Sequence, residues 1–160
     1  MKKILYFVML VTLALSKEAI AQNASIFPKG EKAANVHHVG NVWLNELSPA
    51  DSTFTYGTSL ATMERGAYLY WHKHPGGQIL MIIDGTGYYQ KKGKPKQTVR
   101  KGDVIKCQPD VEHWHGATPI TGVTYLATSP AQKGKTIWLQ PVTEKEYSEQ
   151  PTKPVQTLKK

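Results

Sequence analysis

Cysteine is nearly absent from this chain, since Cys107 is the only one in 160 residues. A single cysteine cannot form an intramolecular disulfide, so the fold depends on packing and on any bound metal. Cys107 alternates with Lys106 and Gln108 along a predicted strand. This alternation favours a buried structural thiol over an exposed nucleophile, and we therefore place Cys107 in the core.

The chain also lacks an apolar run long enough to cross a membrane. Its N-terminal run, residues 4–15, falls short of the roughly 20 residues that a spanning helix needs, which argues against an uncleaved anchor. Two lysines precede the run and an Ala-Ile-Ala sequence ending at Ala21 follows it, a pattern typical of a secretory signal peptide. No cysteine near Ala21 could carry a lipid. We expect residues 1–21 to be removed and the remainder to be periplasmic or secreted.

Acidic residues are in the minority, with 12 Asp and Glu against 20 Lys and Arg, and the formal net charge is +8. Many positive charges surround Gly93 and Pro95 in a predicted hairpin tip: Lys91, Lys92, Lys94, Lys96, Arg100 and Lys101. No aromatic residues alternate with these lysines, so we do not expect nucleic-acid binding. The tip is interpreted as a solvated loop, with attraction to an anionic envelope surface as the alternative.

Turn residues divide most of the chain into short segments rich in β-branched and aromatic residues. The predicted strands are 36–47, 53–64, 68–74, 78–83, 87–91, 97–100, 103–107, 113–117 and 122–128. A series of short strands is typical of a β-sandwich or a small barrel, so the predicted class is all-β.

One short helix is predicted near the end, because the residues from Thr143 to Glu146 have the form of a capping box. Pro151 and Pro154 prevent a longer helix. We expect a signal peptide at 1–21, an irregular arm at 22–35, one domain at 36–149 and a loose tail at 150–160.

Four candidate metal ligands lie between residues 66 and 115: His72, His74, Gln78 and His113. Residues two apart on a strand share a face, so the imidazoles of His72 and His74 can point to one place. A Pro-Gly-Gly turn then returns the Gln78 amide beside them, and His113 must approach from a separate strand. Convergence of several histidines favours a metal site over a hydrogen-bonded polar core.

The same alternation assigns the neighbours of these ligands to faces. If His72 and His74 point inward, Tyr68 and Tyr70 should line the same cavity, while Leu69 and Trp71 point outward. This prediction assumes that strand 68–74 is continuous.

On the next strand, Gln78, Leu80 and Ile82 should point inward, which leaves Ile79, Met81 and Ile83 on the other face. An outer face this apolar needs a cover. We predict a homodimer that buries it, with cover by residues 36–47 of the same chain as the alternative.

The segment Trp71-His72-Lys73-His74-Pro75-Gly76-Gly77-Gln78, with Glu112-His113-Trp114-His115 downstream, resembles the two motifs of the cupin family. It is most similar to small bacterial cupins that include manganese-dependent hydroxynitrile lyases, and the resemblance runs from about Thr58 to Glu149. It implies a double-stranded β-helix, or jelly-roll, barrel. It also implies that His72, His74, Gln78 and His113 hold Mn²⁺, and that a cyanohydrin is cleaved to an aldehyde and cyanide.

Two positions depart from the family pattern. Asp110 stands where the family usually has a glycine, and Tyr125 stands where the lyases have a histidine on a late strand. Tyrosine is a far weaker base than histidine near neutral pH. Proton abstraction by this chain would therefore pass to another residue, or the reaction would differ.

The ligand set itself indicates the type of reactivity. Three neutral imidazoles and an amide leave the charge of a divalent ion uncompensated, which favours Lewis-acid over redox chemistry. Four protein ligands leave two positions of an octahedral ion for a substrate. Mn²⁺ suits a mixed nitrogen and oxygen set, and Fe²⁺, Co²⁺, Ni²⁺ and Zn²⁺ satisfy the same spacing.

Two further residues are candidates for catalysis. His115 has the same strand parity as His113 and is either a proton carrier or a structural side chain. Tyr125 is either a donor to a developing oxyanion or a core aromatic residue. His37 and His38 are adjacent and lie outside the motifs, so we interpret them as surface residues.

The predicted function is a metal-dependent lyase acting on a cyanohydrin-like or other small α-hydroxy or carbonyl compound. One alternative is an Fe²⁺-dependent dioxygenase that uses both open positions for substrate and O₂, although Gln78 weighs against it. The other is a non-catalytic extracytoplasmic protein that captures a small ligand in the same pocket.

Overall fold

The structure, a computed structural model, describes residues 25–151. The predicted signal peptide at 1–21 and the tail beyond Pro151 lie outside these residues. The strands are β1 (Glu31–Lys32), β2 (His38–Val39), β3 (Val42–Ser48), β4 (Tyr56–Met63), β5 (Tyr68–Leu69), β6 (His72–Lys73), β7 (Gln78–Lys91), β8 (Gln97–Arg100), β9 (Val104–Cys107), β10 (His113–Ala117), β11 (Val123–Pro130) and β12 (Ile137–Trp138). A 3₁₀ helix (Ala131–Lys133) precedes β12, and one α-helix, α1 (Glu144–Ser148), follows it.

The strands form two antiparallel sheets that curl around one interior and share β7. The order along the main path is β1-β3-β4-β11-β7-β10-β5-β2. The first half of β7 pairs with β9 and β11, and its second half pairs with β8 and β10. The predicted all-β barrel with one short C-terminal helix is confirmed.

Strand β7 differs from the prediction of two strands separated by a turn at Gly85. It continues through Gly85, where φ is 76°. A Cβ atom at this position would lie 2.1 Å from the carbonyl oxygen of Gly122 on the neighbouring chain segment. Only glycine accepts both the left-handed backbone and this close approach. Gly85 therefore lets one strand bend between the two sheets.

The main core fills the barrel interior with side chains from both sheets, including Val42, Met63, Leu80, Ile82 and Val123. Cys107 belongs to this cluster, so the prediction of a buried thiol is confirmed. Burial raises the pKa of the Cys107 thiol to about 11, which keeps it protonated and poorly reactive.

A second apolar cluster lies outside the barrel and corrects the predicted faces of strand 68–74. It contains Tyr68, Trp71 and Trp114, with Tyr147 of α1 packed against them. Tyr68 thus points away from the cavity, whereas Leu69 lines it. The prediction is right for Trp71 and wrong for Tyr68, Leu69 and Tyr70, since Tyr70 is not among the residues that line the cavity. Alternation fails because β5 and β6 are separate strands with an irregular stretch between them.

The amide groups of that stretch bond to distant segments. The Tyr70 amide donates to the His37 carbonyl, at 2.9 Å, and the Trp71 amide donates to the Gln140 carbonyl, at 3.1 Å. These partners bend the chain between β5 and β6 and reset the face to which each later side chain points.

Helix α1 begins with the predicted capping box. The Glu146 amide donates to the Thr143 hydroxyl, and the Thr143 amide donates to the Glu146 carboxylate at 2.8 Å. Within residues 25–151, no helix has the length and apolar character that a membrane crossing requires.

Lys96 is an exception to the interpretation of the basic hairpin tip as a solvated loop. Its side chain is only 3% exposed, and its Nζ donates to the carbonyl oxygens of Glu146 and Tyr147 in α1. The same ammonium lies 4.4 Å from the ring centre of Tyr88. Lys96 therefore attaches α1 to the barrel, which sequence position alone cannot indicate.

Candidate metal centre

Three separate elements carry the candidate ligands to one region of the barrel. His72 on β6 is the registered partner of His113 on β10, and His74 follows β6 directly. The Gly77 amide then donates to the His74 carbonyl at 3.0 Å, and this turn places Gln78 at the start of β7. Local sequence thus accounts for three of these positions, and strand pairing accounts for His113.

The three histidines are buried and close together. Ligand atoms of His72, His74 and His113 all lie within 4.8 Å of one another. Their ring centres are 5.1 Å apart for His72 and His74, 4.4 Å for His72 and His113, and 5.5 Å for His74 and His113. Three imidazoles in this arrangement could bind one metal ion.

Each imidazole is oriented by a hydrogen bond at Nδ1. His72 donates to the Tyr70 carbonyl at 2.8 Å, and His113 donates to the Val111 carbonyl at 2.9 Å. Nδ1 of His74 is hydrogen-bonded to the Thr136 hydroxyl at 3.2 Å. A fixed Nδ1 leaves Nε2 free to act as the ligand atom, as is usual for metal-binding histidines.

Three buried nitrogen and oxygen atoms at this site are suitable ligands for a cation. Nε2 of His74, Nε2 of His113 and Oε1 of Gln78 are buried and have no hydrogen-bond partner among the residues described. Buried polar atoms without partners are costly, and one divalent ion would satisfy all three. The residues present therefore fit a metal.

Burial also keeps these histidines in the protonation state that metals require. It lowers the pKa of His72 well below its usual value and lowers that of His113. Burial and the neighbouring His113 lower the pKa of His74 to about 4, while the Gln78 side chain partly opposes this shift. Neutral imidazoles are the ligating form, so near neutral pH a metal need not displace protons.

His115 and Tyr125 lie beside the histidine cluster and line the same cavity. Their ring centres are 5.0 Å apart, and that of His115 is 5.2 Å from that of His72. His115 is 4% exposed, and neither of its ring nitrogens has a partner within the described chain. Among the described residues, the Tyr125 hydroxyl contacts only a weak acceptor, the Met63 sulfur, at 3.8 Å.

The protonation states of this pair differ for one physical reason. Burial disfavours whichever form is charged. It lowers the pKa of His115 well below the usual value and raises the pKa of Tyr125. Near neutral pH, His115 is an unprotonated base and Tyr125 retains its proton.

Sequence reasoning missed Thr136 and Trp138. Strand β12 pairs with β6 and sets Trp138 opposite His72, with ring centres 5.0 Å apart. The Trp138 indole also stacks on His37 at 4.8 Å. The β-branched and aromatic residues of 136–139 are the local signal that could indicate a strand here. Nothing local indicates its partner, because 62 residues separate Thr136 from His74.

The interpretation of His37 and His38 as surface residues is half wrong. His37 is exposed at the cavity mouth, but His38 is buried, with Nε2 2.8 Å from the Ala34 carbonyl oxygen. Both line the cavity. The reason is that His38 belongs to β2, which pairs with β5 and completes the cavity wall.

Asp110 keeps the backbone conformation that a glycine would adopt at this position. Its φ is 58°, in the left-handed region, which aspartate tolerates better than most residues. Its amide donates to the His74 carbonyl at 3.0 Å, and its carboxylate lies 3.7 Å from Nζ of Lys73. The departure from the family pattern therefore leaves the turn beside His74 intact.

The chain is similar in sequence to known proteins. A model of the cupin domain family matches residues 59–126. The chain is 36% identical over 109 residues to an (R)-mandelonitrile lyase from Granulicella tundricola, which covers 68% of the chain and 83% of that relative.

Two solved structures are also similar. A cupin-like protein from Thermotoga maritima has 40% identity and a TM-score of 0.74, over 78% of this chain and 95% of that one. A cupin 2 conserved barrel domain protein from Rhodopseudomonas palustris has 20% identity and a TM-score of 0.58, over 72% and 76% of the two chains. The second similarity concerns the fold alone.

Proposed function

The chain belongs to the cupin family, and from this premise we propose that it is a metal-dependent lyase acting on a cyanohydrin-like or other small α-hydroxy or carbonyl compound. The observation that carries the proposal is the group of buried, unpartnered nitrogen and oxygen atoms on His74, His113 and Gln78. The identity to a mandelonitrile lyase supports the reaction class.

His72, His74, Gln78 and His113 would hold the ion. Mn²⁺ is proposed because three imidazoles and one amide oxygen form a mixed set of nitrogen and oxygen ligands. Fe²⁺, Co²⁺, Ni²⁺ or Zn²⁺ would compete for the same site to an extent set by their concentrations in the cell. When bound, the ion would supply Lewis-acid polarisation of a substrate oxygen.

His115 is proposed to accept the proton of the substrate hydroxyl. It is neutral and faces the cavity, and within residues 25–151 neither ring nitrogen has a hydrogen-bond partner. Tyr125 is proposed to stabilise the developing negative charge, because it retains its proton and its hydroxyl has only the Met63 sulfur as a partner. In this proposal His115 is the base, because Tyr125 stands where the lyases have a histidine and a tyrosine is a much weaker base.

We further propose an exported homodimer. Ile79 on the outer face of β7 is 39% exposed, and Val104 on the adjacent β9 also points outward and is exposed. The alternative cover, residues 36–47, forms β2 and β3 instead. Since β3 is paired beside β4 in the same sheet, it cannot cover the face of that sheet. A second copy is the proposed cover.

Metal content is the first test of the proposed function. Elemental analysis should find one divalent ion per chain, and His113→Ala should weaken Mn²⁺ binding at least 100-fold in calorimetry. His37→Ala, at the mouth of the same cavity, serves as the matched control and should bind normally. Stoichiometric binding by His113→Ala would show that the ion sits elsewhere.

Turnover is the second test. Manganese-loaded protein should convert mandelonitrile to benzaldehyde, and His115→Ala should lower kcat by roughly 10² to 10⁴ with metal content unchanged, the usual range for loss of a general base. If wild-type protein produces no more benzaldehyde than His113→Ala, cyanohydrin cleavage is rejected. Oxygen uptake by iron-loaded protein would then favour the dioxygenase alternative.

A further inference from the structure

Small residues line a groove that leads away from Tyr125 along the inner faces of β4 and β11. Ala61 is paired with Tyr125, Ser59 with Ala127, and Gly57 with Ser129. All of them line the cavity. The five residues from Tyr125 to Ser129 span about 13 Å at the usual rise of a strand. We call Gly57, Ser59, Ala61, Ala127 and Ser129 the small-residue groove.

Polar atoms without partners lie at the inner end of this groove. His115 is 4% exposed, and neither of its ring nitrogens has a hydrogen-bond partner within residues 25–151. Its side chain lines the same cavity as the groove. The inner end is therefore built to receive a polar group.

The remaining walls are mainly apolar. They include Val42 and Leu44 of β3, Leu69 of β5 and Trp138 of β12, and the mouth is bordered by Val36. Among the lining residues that the structure describes, the only acidic or basic side chains besides the histidines are Glu46 and Lys135. These two are exposed and opposite in sign, so the walls offer no net charge to a ligand. A charged tail would lose its hydration here without gaining a partner.

The cavity has a volume of about 860 Å³. This is in the upper part of the range of roughly 300–1,000 Å³ found for pockets that bury drug-sized ligands. A single-ring cyanohydrin is much smaller than such ligands and would occupy only the histidine end. The small-residue groove would then contact no part of the substrate.

We propose that the substrate is an elongated, uncharged molecule whose oxygen-bearing head lies at the histidines and whose apolar tail lies in the small-residue groove. This inference rests on the proposed function, because the head is the group that reacts there. The groove specifies the class of substrate. Its tail is uncharged and apolar, and it passes over residues no larger than serine.

Binding of alkyl hydroxamates tests the inference, since the hydroxamate oxygens occupy the head position while the tail length is varied. Calorimetry on manganese-loaded full-length protein should show affinity rising up to about fourfold per added methylene, from four carbons to eight. A hydroxamate of equal length ending in a carboxylate should bind at least tenfold more weakly. Affinity that is independent of tail length would overturn the inference.

Two substitutions in the small-residue groove test whether the apolar tail lies there. Ala127→Phe, and as a second variant Ser59→Leu, should abolish the gain beyond six carbons. Thr128→Phe, on the outer face of the same strand, is the matched control and should keep the wild-type dependence. If both cavity variants keep it while near-ultraviolet circular dichroism shows native folds, the tail does not lie in the groove.

A failure of the proposed function gives a different result. If the protein binds no metal, the lyase proposal fails, and the metal-free protein is titrated with 1-butanol, 1-hexanol and 1-octanol. The groove still predicts increasing affinity along this series and its loss in Ala127→Phe. Equal binding of the three alcohols would reject the groove as well.

Discussion

At the scale of single residues, the orientation of the histidine cluster depends on atoms outside the predicted metal-binding motifs. Backbone carbonyls hold two of the imidazoles, but a side chain from a distant segment, Thr136, holds His74. A carbonyl oxygen is present whatever the sequence, whereas a hydroxyl can be removed by mutation. His74 is therefore the candidate ligand whose position is most sensitive to a single substitution.

Thr136→Val keeps the shape of the side chain and removes the hydroxyl. We expect Mn²⁺ affinity to fall by about 10-fold to 100-fold, the usual effect of losing a hydrogen bond that orients a ligand. Calorimetric titration with Mn²⁺ measures this change, and Thr136→Ser should restore most of the affinity. Thr124→Val, on the outer face of β11, is the control. Unchanged affinity in Thr136→Val would show that packing alone orients His74.

At the scale of elements, α1 is too short to be stable alone, so its position depends on side chains that contact the barrel. Tyr147 stacks on Tyr68 with ring centres 4.2 Å apart, and its hydroxyl donates to the Ala117 carbonyl at 3.0 Å. Lys96 adds two hydrogen bonds to the helix carbonyls. Burial lowers the pKa of Lys96, but the amine remains a donor to both carbonyls.

Lys96→Met should therefore destabilise the fold and release α1. Hydrogen bonds that involve a charged donor contribute about 1.5–3 kcal/mol each, so we expect the free energy of unfolding to fall by about 2 kcal/mol or more. Urea denaturation followed by tryptophan fluorescence measures the loss, because Trp114 lies in the same cluster. Lys94→Met, exposed on the same hairpin, should change stability by less than about 0.5 kcal/mol. Equal effects of the two substitutions would contradict this role of Lys96.

At the scale of the whole molecule, the sheet that contains β7 has one face in the barrel and one face outward. Leu80 and Ile82 fill the interior, and Ile79 and Met81 point the other way. Apolar side chains on both faces are typical of a sheet that is covered on both sides. Ile79 nevertheless keeps 39% exposure against the rest of residues 25–151.

The homodimer proposal predicts a change of mass on mutation of this face. Sedimentation velocity at micromolar concentration should show a dimer for the wild-type protein and a monomer for Ile79→Lys, because a buried unpaired charge opposes association. Ile137→Lys changes a residue of similar exposure, 42%, on β12 and should remain dimeric. A wild-type monomer would remove the proposal.

Local rules were sufficient for a large part of this protein. The all-β class, the capping box at Thr143 and the burial of Cys107 follow from alternation and short-range hydrogen bonds, which the sequence by itself determines. The convergence of His72 and His74 also follows from the two-residue repeat of a strand. The same repeat was misleading for Tyr68, since it holds only while a strand is uninterrupted.

Tertiary structure alone decided the features that join distant segments. Each of these features requires two segments that are far apart in the chain: Thr136 beside His74, Lys96 against α1, His38 in the cavity wall, and the small-residue groove. A sequence pattern reports the face on which a side chain lies. It does not report which residue lies opposite, because strand order and register depend on the free energy of the entire fold.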